Sequence, residues 1–197
     1  MTTPRTIIFF GRSGCGKGTQ AGLLIDSFTK SDPKRKIVYI ETGKKFREFM
    51  QEDSYSAHLT KGLMESGGLL PEFLPIWMWT DHMVKNLSTE EHLILDGLCR
   101  RSSESLVLDS AIQFYQRKSP AVIHLDVSRE WSRKHLLARG RADDIKWNID
   151  ERLTWYDTNV IPAMDFFRQN SHYQFFDING ERSIEHVHED ILKAIGA

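Results

Sequence analysis

The 197-residue sequence lacks the features that mark several protein classes. Its two cysteines, Cys15 and Cys99, are too few for a disulfide-framed fold and suit a reducing compartment. Its apolar runs, such as residues 73–79, are far shorter than the roughly 20 residues that span a bilayer. The 26 basic and 27 acidic residues give a formal net charge of −1. That balance argues against nucleic-acid and membrane partners, so any phosphate binding must be local.

The sequence also lacks targeting signals, zinc-ligand spacing and internal repeats. Residues 1–5 carry neither the apolar core of a signal peptide nor the Arg- and Ser-rich pattern of a transit helix, so we expect a cytoplasmic protein. The eight histidines show no metal-ligand spacing with the cysteines, which argues against structural zinc. No repeat or linker divides the chain. With 40% apolar residues, the sequence predicts one domain over residues 1–197.

Short apolar runs alternate with longer helical patterns, which is typical of an α/β fold. The runs show little polar alternation, as in strands that are covered on both faces. We therefore expect a five-stranded parallel sheet with helices on both faces. The predicted strands are residues 6–10, 37–41, 93–95, 121–126 and 173–178. The predicted helices are residues 17–29, 44–52, 57–66, 72–86, 104–117, 129–138, 146–170 and 184–195.

The segment after the first predicted strand, residues 11–19, is rich in glycine. It fits Gly-x4-Gly-Lys, with Gly18 inserted before the hydroxyl residue Thr19. Glycines let successive N–H groups turn onto phosphate oxygens, the following helix directs its positive end at them, and Lys17 adds a full charge. Thr19 is a candidate ligand for Mg²⁺. The segment predicts binding of ATP or a similar triphosphate through Gly14, Cys15, Gly16, Lys17, Gly18 and Thr19.

The glycine-rich segment and four further segments of the sequence belong to one recognisable set of motifs. Gly-Lys-Gly-Thr-Gln resembles the adenylate kinase family of nucleoside monophosphate kinases rather than a strict Walker A sequence. The segments that are also similar to this family are Thr42-Gly43 with Arg47, Met64 with residues 67–71, Asp96-Gly97-Leu98-Cys99-Arg100, and residues 139–144 with Arg152. Together they cover nearly the whole chain, in order.

The resemblance implies a fold of the P-loop kinase type with a core at residues 1–41 and 90–197. Helices in residues 42–86 would bind the monophosphate, and residues 139–144 would form a very short lid. The implied reaction is reversible phosphoryl transfer from Mg-ATP to AMP, which gives two ADP.

The resemblance also implies roles for individual residues. Arginine suits such roles because its planar fork pairs two phosphate oxygens and stays charged. Asp96 would hold Mg²⁺ through water. The implied catalytic residues are Lys17, Arg100, Arg139, Arg141 and Arg152. The implied AMP-binding residues are Thr42, Arg47, Met64, Leu70, Gly97, Arg100 and Glu104, and the ATP-binding set gains His135 and Arg139.

The sequence departs from the family pattern at four positions. Lys44 replaces an aspartate, Cys99 a proline, and His135 an arginine that stacks on the adenine of ATP. Glu104 replaces the glutamine that reads the adenine of AMP. An ionised glutamate only accepts hydrogen bonds, so base selectivity is expected to be weaker, although Thr42 favours adenine.

The lid retains only Gly140 between Arg139 and Arg141. We expect a small movement on closure and incomplete shielding of the phosphoryl group, with measurable ATP hydrolysis. Asp143 and Asp144 are candidates for a helix N-cap, for contact with ribose or Mg²⁺-bound water, or for both.

Three alternatives stay open. The first is a UMP/CMP kinase or a kinase of broad specificity, and the second is a nucleotide-binding regulator without transfer activity. A P-loop ATPase or GTPase is a weaker third. We expect a monomer, although the tryptophans in residues 73–79 could be either core residues or an oligomer contact.

Overall fold

The computed structural model describes residues 3–66, 68–140 and 146–197. Its five strands form one sheet in the order β2-β3-β1-β4-β5, and every neighbouring pair is parallel. The strands are β1 Thr6–Gly11, β2 Ile37–Glu41, β3 His92–Asp96, β4 Ala121–Asp126 and β5 Gln174–Asn179. The predicted α/β fold with a five-stranded parallel sheet is confirmed.

Helices cover both faces of this sheet. They are α1 Lys17–Ser31, α2 Thr42–Phe49, α3 Tyr55–Glu65, α4 Phe73–Asn86, α5 Ser102–Phe114, α6 Arg129–Arg139, α7 Lys146–Trp155, α8 Ile161–Gln169 and α9 Ile184–Ile195. A π-helical turn, Tyr156–Val160, lies between α7 and α8 and is called the π turn below.

The central strands form because their side chains are apolar on both faces. All residues of β1 and β3 are buried, and Ile8 lies in register with Leu95 on one side and Val122 on the other. Alternate side chains enter two separate core clusters, one toward α4, α5 and α8 and one toward α1 and α9. The carboxyl ends of all five strands therefore meet at one edge, where polar residues follow them.

The apolar stretch of residues 73–79 divides between core and surface. Trp79 is fully buried, whereas Phe73 and Trp77 are 67% and 50% exposed. Trp77 packs edge-on against Phe49, with ring centroids 5.7 Å apart. Leu74 and Met78 join a small core that ties α2, α3 and α4 together.

The helix predicted over residues 146–170 is present from Lys146 to Gln169, but it is not a regular α-helix. The π turn lies within it, between α7 and α8. Pro162 lies in the first turn of α8 and has no N–H to donate to the preceding turn. The amide of Ile161 instead donates to the carbonyl of Tyr156, five residues back. The helix widens at this point, and the consequence for the active site is described below.

The helices of the described residues are all too short or too polar to cross a membrane.

Candidate active site

A cleft of about 800 Å³ lies at the edge of the sheet where the strands end. Its walls come from residues 13–20, from the ends of β2 and β3, from α2, α6 and α7, and from the loop after β5. Most of the predicted site residues line it together: Gly14, Cys15, Gly16, Lys17, Gly18, Thr19, Arg47, Asp96, Gly97, Arg100, His135, Arg139 and Arg152.

The phosphate loop, residues 11–17, turns tightly between β1 and α1. Gly11 has a φ of 145°, and a Cβ there would lie 2.7 Å from both Cys15 Sγ and the carbonyl oxygen of Leu125. Gly14 has a φ of 83°, and a Cβ there would lie 2.9 Å from Leu136 Cγ. Both positions need glycine for backbone conformation and for space. Helix α1 begins directly after the loop, so its first N–H groups can bind an anion.

Lys17 folds back over this loop. Its Nζ donates to the carbonyl oxygens of Gly11, at 2.7 Å, and Arg12, at 3.0 Å, and it lies 3.5 Å from Cys15 Sγ. These contacts hold a positive charge at the mouth of the loop. The charge is therefore in place before a phosphate arrives.

Asp96 ends β3 beside the loop and is 6% exposed. The hydroxyl of Tyr39 donates to its Oδ2 at 3.3 Å. Burial raises the pKa of Asp96, and the charge of Lys17 opposes this shift. Thr19 lines the same cleft from α1. A carboxylate and a hydroxyl are oxygen ligands of the kind that Mg²⁺ prefers.

Two arginines stand on the other side of the cleft. Arg47 in α2 pairs with Glu41 at 2.9 Å. Arg100 donates from Nε to the carbonyl of Gly97 at 3.4 Å, and its guanidinium lies 5.5 Å from the ring centroid of Trp155. Burial lowers the pKa of Arg100, and Glu104 opposes that shift. Both guanidinium groups line the cleft and can pair with a phosphate.

A smaller pocket, called the base pocket below, opens beside Arg100. Gly97 and Arg100 line both the cleft and this pocket. The remaining lining residues are Thr42, Phe46, Leu69, Leu70, Pro75 and Glu104. The predicted residues Thr42, Leu70 and Glu104 therefore lie together, next to Arg100.

Two polar atoms in the base pocket are buried and unpaired. Thr42 Oγ1 and Glu104 Oε2 have no hydrogen-bond partner within the described part of the chain. The exposed fractions of these residues are 2% and 1%. Burial raises the pKa of Glu104, while Arg100 lowers it. An unpaired buried polar atom costs about 1–3 kcal/mol, so both atoms favour a ligand that supplies partners.

The cleft also contains residues that sequence reasoning missed. Trp131 was not predicted, and it stacks on the predicted residue His135, with ring centroids 4.3 Å apart; both line the cleft. Their spacing of four residues in a helix was an available signal. Arg182 and Ser183, which follow β5, also line the cleft. Polar residues after the last strand, at the same sheet edge, could have indicated them.

Some predicted residues are not brought to the cleft. Met64 packs partly buried against the core of α2, α3 and α4 and is not among the residues that line either pocket. Gly67, Arg141, Asp143 and Asp144 lie outside the described residues.

Comparison with known proteins gives the family. The sequence model of the adenylate kinase family matches residues 9–172. The chain belongs to the adenylate kinase family. An adenylate kinase of Leptospira biflexa is 30% identical over 195 residues, covering 97% of this chain and all of the relative. An adenylate kinase of Oenococcus oeni is 28% identical over 192 residues, covering 97% of each chain. Adenylate kinase 1 of Synechocystis is 28% identical over 195 residues, covering 99% of each.

The expected enzyme class, a nucleoside monophosphate kinase of the adenylate kinase type, is thereby confirmed. The structure explains one departure from the adenylate kinase pattern. Cys99 has a φ of 56°, in the left-handed region, which the proline expected there cannot adopt. Burial raises the pKa of its thiol well above the usual range. Cys99 is fully buried and serves as a packing residue in the turn that presents Arg100.

Proposed function

We propose that the chain transfers the γ-phosphoryl group of Mg-ATP to AMP, with the phosphate loop holding the donor and the base pocket holding the acceptor. The continuity of the cleft carries this assignment. Arg100 lines both the cleft and the base pocket, so a monophosphate bound to Arg100 has its base beside Thr42 and Glu104. Its phosphate then faces Lys17 across the same cleft.

We assign the donor triphosphate to the part of the cleft that the phosphate loop and α6 line. The N–H groups of residues 14–19 and the Nζ of Lys17 would hold its β- and γ-phosphates. Its base would lie near the stacked pair of Trp131 and His135, where an aromatic face is exposed to the cleft. This differs in detail from the expectation that His135 alone stacks on adenine. Arg182 supplies a further cation at this end.

In the proposed reaction an oxygen of the AMP phosphate attacks the γ-phosphorus in line. The bond between that phosphorus and the β–γ bridging oxygen breaks, so ATP and AMP each become ADP. Arg47 and Arg100 hold the attacking phosphate, while Lys17, Arg139 and Arg152 face the group in transfer. Positioning and charge stabilisation supply most of the catalysis in such transfers.

The Mg²⁺ ion belongs to this proposal. The oxygen donors of Thr19 and Asp96 fit a cation that keeps several waters and binds mainly to the nucleotide phosphates. Within the described residues no group of three or more metal-ligating side chains is present, so these two residues alone would not hold the ion. When bound with ATP, Mg²⁺ neutralises charge between the β- and γ-phosphates.

AMP is the proposed acceptor because its base supplies what the base pocket lacks. The adenine amino group can donate to the unpaired Glu104 Oε2. An ionised Glu104 cannot donate to the neighbouring ring nitrogen, so selectivity against UMP and CMP is expected to be modest. Broad specificity for monophosphates is the second candidate function, and the same carboxylate favours it.

We also propose that the enzyme acts as a monomer, because one chain provides both ends of the cleft. The cytoplasmic location stays a prediction from the sequence. Size-exclusion chromatography with light scattering would test the oligomeric state, and a mass of twice 22.8 kDa would contradict it.

The experiment that tests the function measures ADP formation from Mg-ATP with AMP, CMP or UMP, and ATP hydrolysis without a monophosphate. We expect kcat/KM to be highest for AMP and to fall when Mg²⁺ is chelated. Equal values for the three acceptors would instead support broad specificity. Nucleotide binding without transfer to any acceptor would support a regulator.

A further inference from the structure

Arg12 is the second residue of the phosphate loop, yet its side chain packs against the π turn and not into the cleft. It is not among the described residues that line the cleft. Its guanidinium pairs with Asp157 and lies 4.6 Å from the ring centroid of Tyr156, and its Nε donates to the carbonyl of Val127 at 3.2 Å. The reaction proposed above does not use this arginine.

The partners of Arg12 are held firmly at the π turn. Tyr156 is 4% exposed, and its hydroxyl lies 3.0 Å from Nε2 of His124 in β4. Asp157 Oδ2 also pairs with the guanidinium of Arg129 in α6, at 3.4 Å. The π turn therefore joins the phosphate loop, the sheet and α6 at one point. Departures from regular helix of this kind are frequent at functional sites.

The π turn follows Arg152, which lines the cleft, and Trp155, which packs against Arg100. Arg152 lies four residues before Tyr156 in α7 and lines the cleft. Trp155 immediately precedes the π turn, and the guanidinium of Arg100 lies over its ring. A displacement of the π turn would therefore move both Arg152 and the support of Arg100 relative to the loop.

The main chain of Arg12 contacts a third proposed catalytic cation, Lys17. Its carbonyl oxygen accepts a hydrogen bond from Lys17 Nζ at 3.0 Å. One residue thus contacts Lys17 through its backbone and the π turn through its side chain. The planar guanidinium can pair with a carboxylate and stack on a ring at the same time, which a lysine cannot do.

We propose that Arg12 is a positioning residue that fixes the phosphate loop against the π turn, so that Lys17, Arg100 and Arg152 act on one phosphoryl group. The inference rests on the proposed function. It does not make Arg12 a phosphate ligand, because its charge is already paired with Asp157 on the side away from the cleft. Small misplacements of catalytic groups cost rate rather than binding.

The test compares Arg12→Gln with a matched control, Arg35→Gln. Arg35 also makes a partly buried pair with an aspartate, Asp32, and donates to a main-chain carbonyl, that of Glu90. It precedes β2, at the edge of the sheet opposite the cleft. The two variants therefore lose similar contacts, but only one of them joins the phosphate loop to the π turn.

We expect Arg12→Gln to lower kcat by about tenfold to 100-fold, as misalignment of about 1 Å does. We expect the KM values for ATP and AMP to change less than about threefold, the pattern of an interaction that acts in the transition state. Arg35→Gln should lower the melting temperature to a similar degree and leave kcat near the parent value.

Variants at both partners sharpen the assignment. Arg12→Lys keeps the charge and should recover part of kcat. Asp157→Asn should lower kcat as Arg12→Gln does. Because both variants break the Arg12–Asp157 contact, the double variant should lose less than the sum of the two single losses. Amide hydrogen exchange should accelerate in residues 11–17 and 156–160 together in Arg12→Gln, and not in Arg35→Gln.

Several outcomes would overturn the inference. Equal losses of kcat in Arg12→Gln and Arg35→Gln would leave Arg12 a merely structural residue. A raised KM for ATP at unchanged kcat would make it a nucleotide ligand. Additive losses in the double variant would separate Arg12 from Asp157. If the parent enzyme made no ADP from ATP and AMP, the proposed function would fail alone, while hydrogen exchange would still decide whether Arg12 couples the two segments.

Discussion

The phosphate loop and the base pocket satisfy their polar groups in different ways. In the loop, Lys17 binds two carbonyl oxygens, and the Arg12 side chain is held by Asp157. In the base pocket, Thr42 Oγ1 and Glu104 Oε2 are buried without partners from the described residues. The loop can thus keep its shape without a nucleotide, while the base pocket gains its missing hydrogen bonds only from a ligand.

This contrast separates the source of catalysis from the source of selectivity. The loop presents main-chain N–H groups and a lysine, which recognise phosphate and not the base. In the proposed function, the base pocket would present Thr42 Oγ1 and Glu104 Oε2 to the base itself, and a mismatched base would leave a buried polar atom unpaired. Changes in the loop should therefore alter turnover, and changes in the base pocket should alter the choice of acceptor.

The largest effect is expected at the loop. Lys17→Met removes the cation that the phosphate loop holds in the cleft and should lower kcat at least about 100-fold, as the loss of a preorganised charge donor does. Coupled measurement of ADP formation gives kcat, and circular dichroism checks the fold. Lys30→Met is the matched control, because Lys30 is exposed in the last turn of the same helix. Near-parental turnover in Lys17→Met would place catalysis elsewhere.

Arg100 stands where the two regions meet, and its loss should act on one substrate. Arg100→Ala should raise the KM for AMP by about tenfold or more, as expected for a charged hydrogen-bonding group, with a much smaller change for ATP. Arg139→Ala is the reciprocal variant and should affect ATP more. Initial rates over both substrate concentrations separate the two KM values. Equal shifts for ATP and AMP in Arg100→Ala would contradict the assignment of Arg100 to the acceptor.

Glu104 should control selectivity with little effect on the loop. Glu104→Gln supplies a donor for the ring nitrogen of adenine and should widen the preference for AMP over UMP and CMP by about tenfold, the value of one buried hydrogen bond. The ratio of kcat/KM values for competing acceptors measures it. Glu48→Gln, on the exposed surface of α2, is the control. An unchanged ratio would mean that Glu104 does not contact the base.

The smallest expected effect is a pH dependence of the preference for AMP over UMP and CMP. Burial raises the pKa of Glu104, so as the pH falls toward that pKa the neutral acid becomes populated and its hydroxyl can donate as a glutamine does. The AMP preference of the parent should therefore approach that of Glu104→Gln at lower pH, while the variant's preference stays flat. Parallel profiles for the two proteins would show that the ionisation of Glu104 is not involved.

Local sequence patterns predicted most of the residues that line the cleft. The glycine spacing of residues 11–18 specifies a tight turn between a strand and a helix, and short buried runs specify parallel strands. Parallel strands bring their carboxyl ends to one edge, so Lys17, Asp96 and Arg100 could be expected to meet. The resemblance to the adenylate kinase family implied that Glu104 lies in the acceptor site, and the structure places it in the base pocket.

The remaining features depend on contacts between distant parts of the chain. Arg12 and Asp157 are 145 residues apart, and no sequence motif predicts that they form a pair. The π turn is an irregularity within a helix that the sequence predicted as regular, and Trp79 is buried while Trp77, two residues away, is half exposed. Periodicity and spacing encode the elements and the motif residues, because those depend on neighbours in the sequence. Only tertiary packing decides which side chain finds a partner, which polar atom is left unpaired, and which face of a helix is covered.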